Sequence, residues 1–226
     1  TTFITNVAQG GAGFDTTIND WVSSDAGWAQ GGALYCSGQL AMTNCHFWSN
    51  RAIGGQGGLG FYGGAGGPAR GGAVLASTGP TTVSNCLFHA NAAIGGLDGL
   101  CQKDSYRGYA GGGALCNTGA LQVISGQFHS NSVLGGFGCG GALLHATGSL
   151  VMIQSTLTGN SATGDLWTRN VYVNPGLPGA GGGLFNAAQA FVEDTTFSSN
   201  TVTGGTGWGA DIISGRTGGP GQGGGV

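Results

Sequence analysis

Apolar side chains fall at every second position over short stretches of this chain, and the stretches recur. Leu40 and Met42 are matched further along by Thr81 and Val83, Leu121 and Val123, Leu150 and Met152, and Ala190 and Val192. The residues around them are largely polar: Thr43, Asn44, Ser84, Asn85, Ser125, Gln154, Glu193 and Asp194. A period of two over a few residues predicts a half-buried β-strand. A small residue follows each pair (Cys45, Cys86, Gly126, Ser155, Thr195), and then a large one: Phe47, Phe88, Phe128, Leu157 or Phe197, with Phe3 in the same class. The step from Met42 to Cys45 is three residues rather than two, which predicts a bend or bulge there.

Each large residue opens a Phe-x-x-Asn ending (Leu157 in place of Phe in one unit), and Asn6, Asn50, Asn91, Asn131, Asn160 and Asn200 close it without exception. Each unit also opens on paired glycines, as at Gly31-Gly32-Ala33, Gly71-Gly72-Ala73, Gly112-Gly113-Ala114, Gly140-Gly141-Ala142 and Gly181-Gly182-Gly183. From Ala33 to Phe47 is 14 residues and from Ala73 to Phe88 is 15, and the later units keep to these two values. The return path is elastic: 23 residues from Asn50 to Ala73, but 11 from Asn131 to Ala142. A constant half and an elastic half predict a packed rung with a loop inserted on one face. Strands repeating at one register without helical crossovers stack in parallel as a solenoid, each inward residue over its counterpart about 4.8 Å below. Phe then stacks on Phe. Asn is suited to a ladder, because its amide bonds to backbone or to the Asn above and it tolerates left-handed backbone at a turn.

The resulting expectation is an all-β, single-stranded parallel β-helix of about five to six coils, with Gly-rich insertions on one flank. Residues 1–226 form one continuous array, open at both ends, and read as a segment of a longer chain. Composition agrees. Gly numbers 52 and charged residues are 7%, yet 40% of residues are hydrophobic, enough to build a core. A net charge of −3 carries no footprint for nucleic acid or acidic membranes. No run of about 20 apolar residues predicts membrane insertion.

The coupled Gly-Gly-Ala-(Leu/Val) and Phe-x-x-Asn pairs resemble the polymorphic outer membrane protein repeat. That repeat is best known from chlamydial surface autotransporters and also occurs in long extracellular proteins of algae and environmental bacteria. The resemblance spans essentially all 226 residues. It implies a right-handed coil with adhesive or structural duty at a cell surface. Units near 40 residues, Leu157 in place of Phe and Gly183 in place of Ala depart from the family pattern.

Candidate chemistry is sparse. Only Glu193 and Asp194, among nine acidic residues, lie on a rung, and paired carboxylates for glycoside cleavage are not evident. Asp15, Asp20 and Asp25 could wrap calcium but lack the Gly and Glu of an EF-hand loop. His89 and His129 each follow a repeat Phe and share a column; two stacked imidazoles could bind a metal, but the column reads as plain surface. No catalytic, cofactor-binding or metal residue is therefore assigned.

An even count of six cysteines points to an oxidising, extracellular compartment. Cys45 and Cys86 fall in one column at disulfide distance, with a stack of free thiols as the alternative. Cys101 could pair with Cys139 across neighbouring loops, and Cys36 with Cys116 although they are out of register. Aromatic loop residues Trp21, Trp28, Tyr106, Trp167, Tyr172 and Trp208 are the candidate contacts.

The expected function is a rigid extracellular shaft, fibre or adhesin-stalk segment of a cell surface or flagellar appendage. It would stack on copies of itself or on further repeats, and touch other surface proteins, filament proteins or glycans through its loops. A carbohydrate-binding or carbohydrate-cleaving, pectin-lyase-like β-helix is the alternative.

Overall fold

A computed structural model of the protein describes residues 1–15, 23–61, 63–99, 107–165, 176–206 and 218–226. Among them there is no helix. Short strands pair in parallel into five sheets that run the length of a β-solenoid. One coil traces Ala29–Gln30 in sheet 1, Leu34–Cys36 in sheet 2, Leu40–Thr43 in sheet 3, His46–Trp48 in sheet 4 and Arg51–Ile53 in sheet 5. The chain then crosses the insertion and re-enters sheet 1 at Ala69–Arg70, directly against Ala29–Gln30.

The register is the one the alternation predicts. Leu40, Thr81, Leu121, Leu150 and Ala190 are successive partners in sheet 3, as are Met42, Val83, Val123, Met152 and Val192. In sheet 4 the partners are Phe3, Phe47, Phe88, Phe128, Leu157 and Phe197. Phe47 and Phe88 stack at 4.8 Å between centroids with 4° between planes, and Phe88 and Phe128 at 4.8 Å with 1°. That separation is the inter-strand spacing itself. With Leu115, Leu143 and Leu184 from sheet 2, these columns form the main core.

The bend after Met42 is a corner between sheets 3 and 4. Asn44, Asn85, Ser125, Gln154 and Asp194 turn it with φ between 47° and 52°. The next corner corrects one expectation: its left-handed residue is not the ladder Asn but the residue before it, Ser49, Ala90, Ser130, Gly159 or Ser199. This leaves the Asn side chain free to point inward. At the corner between sheets 1 and 2 the first glycine of each pair, such as Gly71 at φ 65°, is left-handed. A Cβ there would lie 2.1 Å from the Val74 carbonyl oxygen, so glycine is required on both counts.

Candidate functional site

Asn50, Asn91, Asn131 and Asn160 are wholly buried. Each donates twice to the next coil: Asn91 N and Nδ2 both reach Asn131 Oδ1 at 3.0 Å. The remaining Nδ2 proton goes to the preceding coil, Asn91 to Phe47 O and Asn131 to Phe88 O, each at 3.0 Å. The same pattern links Asn6 to Asn50 and Asn160 to Asn200. The Asn-to-Asn bonds are thus directional: each Asn donates to the Oδ1 of the next coil's Asn and accepts on its own Oδ1 from the preceding one.

A second column does similar work at the corner between sheets 3 and 4. Cys86 Sγ donates to Ser84 O at 3.3 Å and accepts from Cys45 N at 3.4 Å. Ser155 Oγ donates to Ile153 O at 2.9 Å and accepts from Gly126 N at 3.1 Å. Cys86 therefore stands where serine stands two coils on, and its proton is committed to its own corner. The expected Cys45–Cys86 disulfide is not formed: Cys36, Cys45, Cys86, Cys116 and Cys139 are free thiols. Cys36 and Cys116 cannot meet, because Cys36 is in register with Ala76 and Cys116 with Leu75, on opposite faces of sheet 2. Cys101 lies outside the described residues, and its expected partner Cys139 bonds instead with the Tyr109 hydroxyl at 2.8 Å.

The insertions are not loose decorations. Except for the two-residue link from Gly135 to Gly138, their described parts leave sheet 5 and return to sheet 1 as two glycine-rich arms. Backbone bonds zigzag between arms and coils: Gly27 N to Gly11 O at 2.8 Å, Gly55 N to Gly27 O at 3.0 Å, and Gly67 N to Gly55 O at 2.9 Å. The line continues through Gly96, Gly108 and Gly136, and on through Asp165, Leu177 and Gly205 to Gly219. At the closest glycines of this layer no side chain fits. A Cβ on Gly54 would sit 1.7 Å from Gly67 O, and one on Gly67 would sit 1.9 Å from Gly27 O. Asp15 and Asp25, read above as calcium candidates with Asp20, accept from the next coil's arms at Leu59 N and Ala65 N, both at 2.8 Å. Asp20 lies outside the described residues. Arg107 pairs with Asp165 across coils and also donates Nε to Gly95 O at 2.9 Å.

Where the arms rejoin sheet 1, an aromatic strip runs along the solenoid. The Arg70 guanidinium lies 5.3 Å from the centroid of Trp28 and 5.6 Å from that of Tyr109. Tyr109 meets Phe137 at 6.0 Å, and Phe137 meets Phe185 edge-on at 6.3 Å. Arg70 Nε is buried with no hydrogen-bond acceptor. Beneath the strip, burial pushes the thiols up, Cys116 to about 12 and Cys139 to about 11, so neither is a thiolate nucleophile at neutral pH. Trp28 is the one predicted aromatic contact within the described residues. Trp21, Tyr106, Trp167, Tyr172 and Trp208 lie outside them.

Sheet 2 carries a polar column on its inner face, absent from the sequence reading. Wholly buried His145 faces Asn117, with Nδ1 3.1 Å from Asn117 Oδ1. That oxygen also accepts from Gly119 N, so Nδ1 carries the proton and Nε2 is a bare lone pair. Nε2 and the Oδ1 of its register partner Asn186 are both buried without partners. Two neighbouring acceptors of this kind suit one bridging water. Burial lowers the His145 pKa.

Among the described residues, no three His, Cys, Asp or Glu side chains converge as a metal site. Comparisons with protein-family models, with curated proteins and with solved structures return no match for this chain.

Proposed function

We propose that this chain is a load-bearing segment of an extracellular shaft, fibre or adhesin stalk, on a cell surface or a flagellar appendage. The observation that carries the reading is the continuity of its axial bonding. The strand ladders, the buried Asn ladder, the Phe stack and the glycine zigzag all run from coil to coil. Such an array resists bending and stretching because every coil is bonded to its neighbours at several points around its section. The directional Asn ladder favours head-to-tail stacking, in which a coil preceding Asn6 donates to its Oδ1 and a coil following Asn200 accepts from it. Partners on this reading are copies of the chain or further repeats, and the similarity to the polymorphic outer membrane protein repeat points the same way. Electron microscopy of the native material is the test. Filaments of solenoid width are expected; dispersed particles, with an intact mass near the 22.2 kDa of this chain, would overturn the proposal.

A second reading draws on the Trp28–Arg70–Tyr109 stack. A partly exposed arginine whose guanidinium is held between aromatic rings is suited to a carboxylate or sulfate on a sugar. Retention on acidic but not neutral polysaccharide arrays, lost in Arg70→Ala, is the expected result. Equal binding by that variant would remove the reading.

A further inference from the structure

His89 and His129 are register partners on adjacent strands of sheet 4. Both follow a core Phe, so alternation turns both imidazoles outward onto one face, with backbones about 4.8 Å apart. Both are half-exposed. In the same column on the preceding coil, the Trp48 ring lies 4.1 Å from the His89 ring. Thr158 is the next register partner beyond His129. Neither imidazole forms a hydrogen bond to a described residue, so the ring nitrogens are uncommitted. His46 stands on the same sheet without a second imidazole: its register partners are Thr2 and Leu87.

We propose that His89 and His129 form a two-imidazole site for a late first-row divalent cation such as Ni(II), Cu(II) or Zn(II). Metal–nitrogen bonds of about 2.0–2.1 Å place two cis nitrogens roughly 3 Å apart. Exposed side chains on strands about 4.8 Å apart reach that separation by rotating about χ1 and χ2. Imidazole donors suit these metals, and affinity rises through Ni(II) to Cu(II) in the usual order. The backbone is held by strands on both sides, so binding need order only two side chains. Positions not taken by imidazole remain with water, which makes the site exchangeable and open to a further ligand. It goes beyond the shaft reading and does not depend on it, since it uses only two middle coils.

Tag-free protein is titrated with NiCl2 at pH 7.5 in a calorimeter, with tryptophan emission followed in parallel. One Ni(II) per chain is expected, with saturable quenching of Trp48. His89→Gln and His129→Gln should each weaken binding by about tenfold or more, as loss of one of two ligands costs at least as much as loss of a supporting contact. His46→Gln should leave it unchanged. Trp48→Phe should lose most of the quenching while keeping the calorimetric stoichiometry. These positions face solvent, and far-UV circular dichroism checks that each variant keeps its sheets. Absence of saturable binding, or equal binding in the His89 and His129 variants, would overturn the proposal.

Discussion

Replacing Asn131 by alanine tests whether the ladder is structural. Asn131 is wholly buried and accepts from Asn91 N and Asn91 Nδ2, both at 3.0 Å. The alanine variant strands both donors in the interior and also withdraws the proton that Phe88 O receives at 3.0 Å. Each buried group left unsatisfied costs about 1–3 kcal/mol, so the two donors alone predict a loss of roughly 2–6 kcal/mol. Sheet 4 and the Phe stack would stay in place around the gap, so the loss reads on hydrogen bonding rather than on repacking. The assay is urea denaturation by circular dichroism, with Gln127→Ala as control. Gln127 is exposed on the outer face of the same sheet, and its loss is expected to stay within about 0.5 kcal/mol. If Asn131→Ala cost under about 1 kcal/mol, the ladder would not be a stability device and the assignment of these asparagines to structure would fail.

Two further outcomes follow from the buried groups. The His145 pKa is lowered by burial, so its contribution to stability is fully present above about pH 6.5, the ordinary imidazole value. It is lost as pH falls below that value towards the folded pKa. Urea midpoints should therefore drop between pH 7.5 and 5, with a smaller drop in His145→Asn; parallel curves for the two proteins would refute the assignment. The thiols give the other test. In native protein, Cys36 and Cys45, which are partly exposed, should react with iodoacetamide first, while Cys86, Cys116 and Cys139 should react only on unfolding. A reductant should leave the melting temperature unchanged, and a fall of several degrees would show a disulfide that the geometry denies.

Much of the coil was legible in the sequence because its signal is local. Side-chain alternation set which of Leu40, Ala41, Met42 and Thr43 face inward, and the constant step to Phe47 set the rung length. Stacking then put like over like, as Phe88 over Phe47. The glycine arms were harder to read. Gly54-Gly55-Gln56-Gly57-Gly58-Leu59 repeats every three residues, the period of an extended polyproline-II-type chain, but neither a helical nor a strand template detects that period. The Arg70 strip left no motif, since Trp28, Arg70, Tyr109 and Phe137 are dispersed over four coils and an elastic spacing.

What the chain alone determined, then, is the repeat, the rung and the residues of the core, because these depend on periods of two and on equal spacing. Only the tertiary structure decided what lies between coils. It showed the Cys45 and Cys86 thiols committed to their own corners and His145 facing Asn186. It also showed glycine backbones approaching too closely for any Cβ. Those relations join residues about 30 to 40 positions apart through the pitch of the solenoid, and no local pattern encodes the direction in which a side chain leaves a corner.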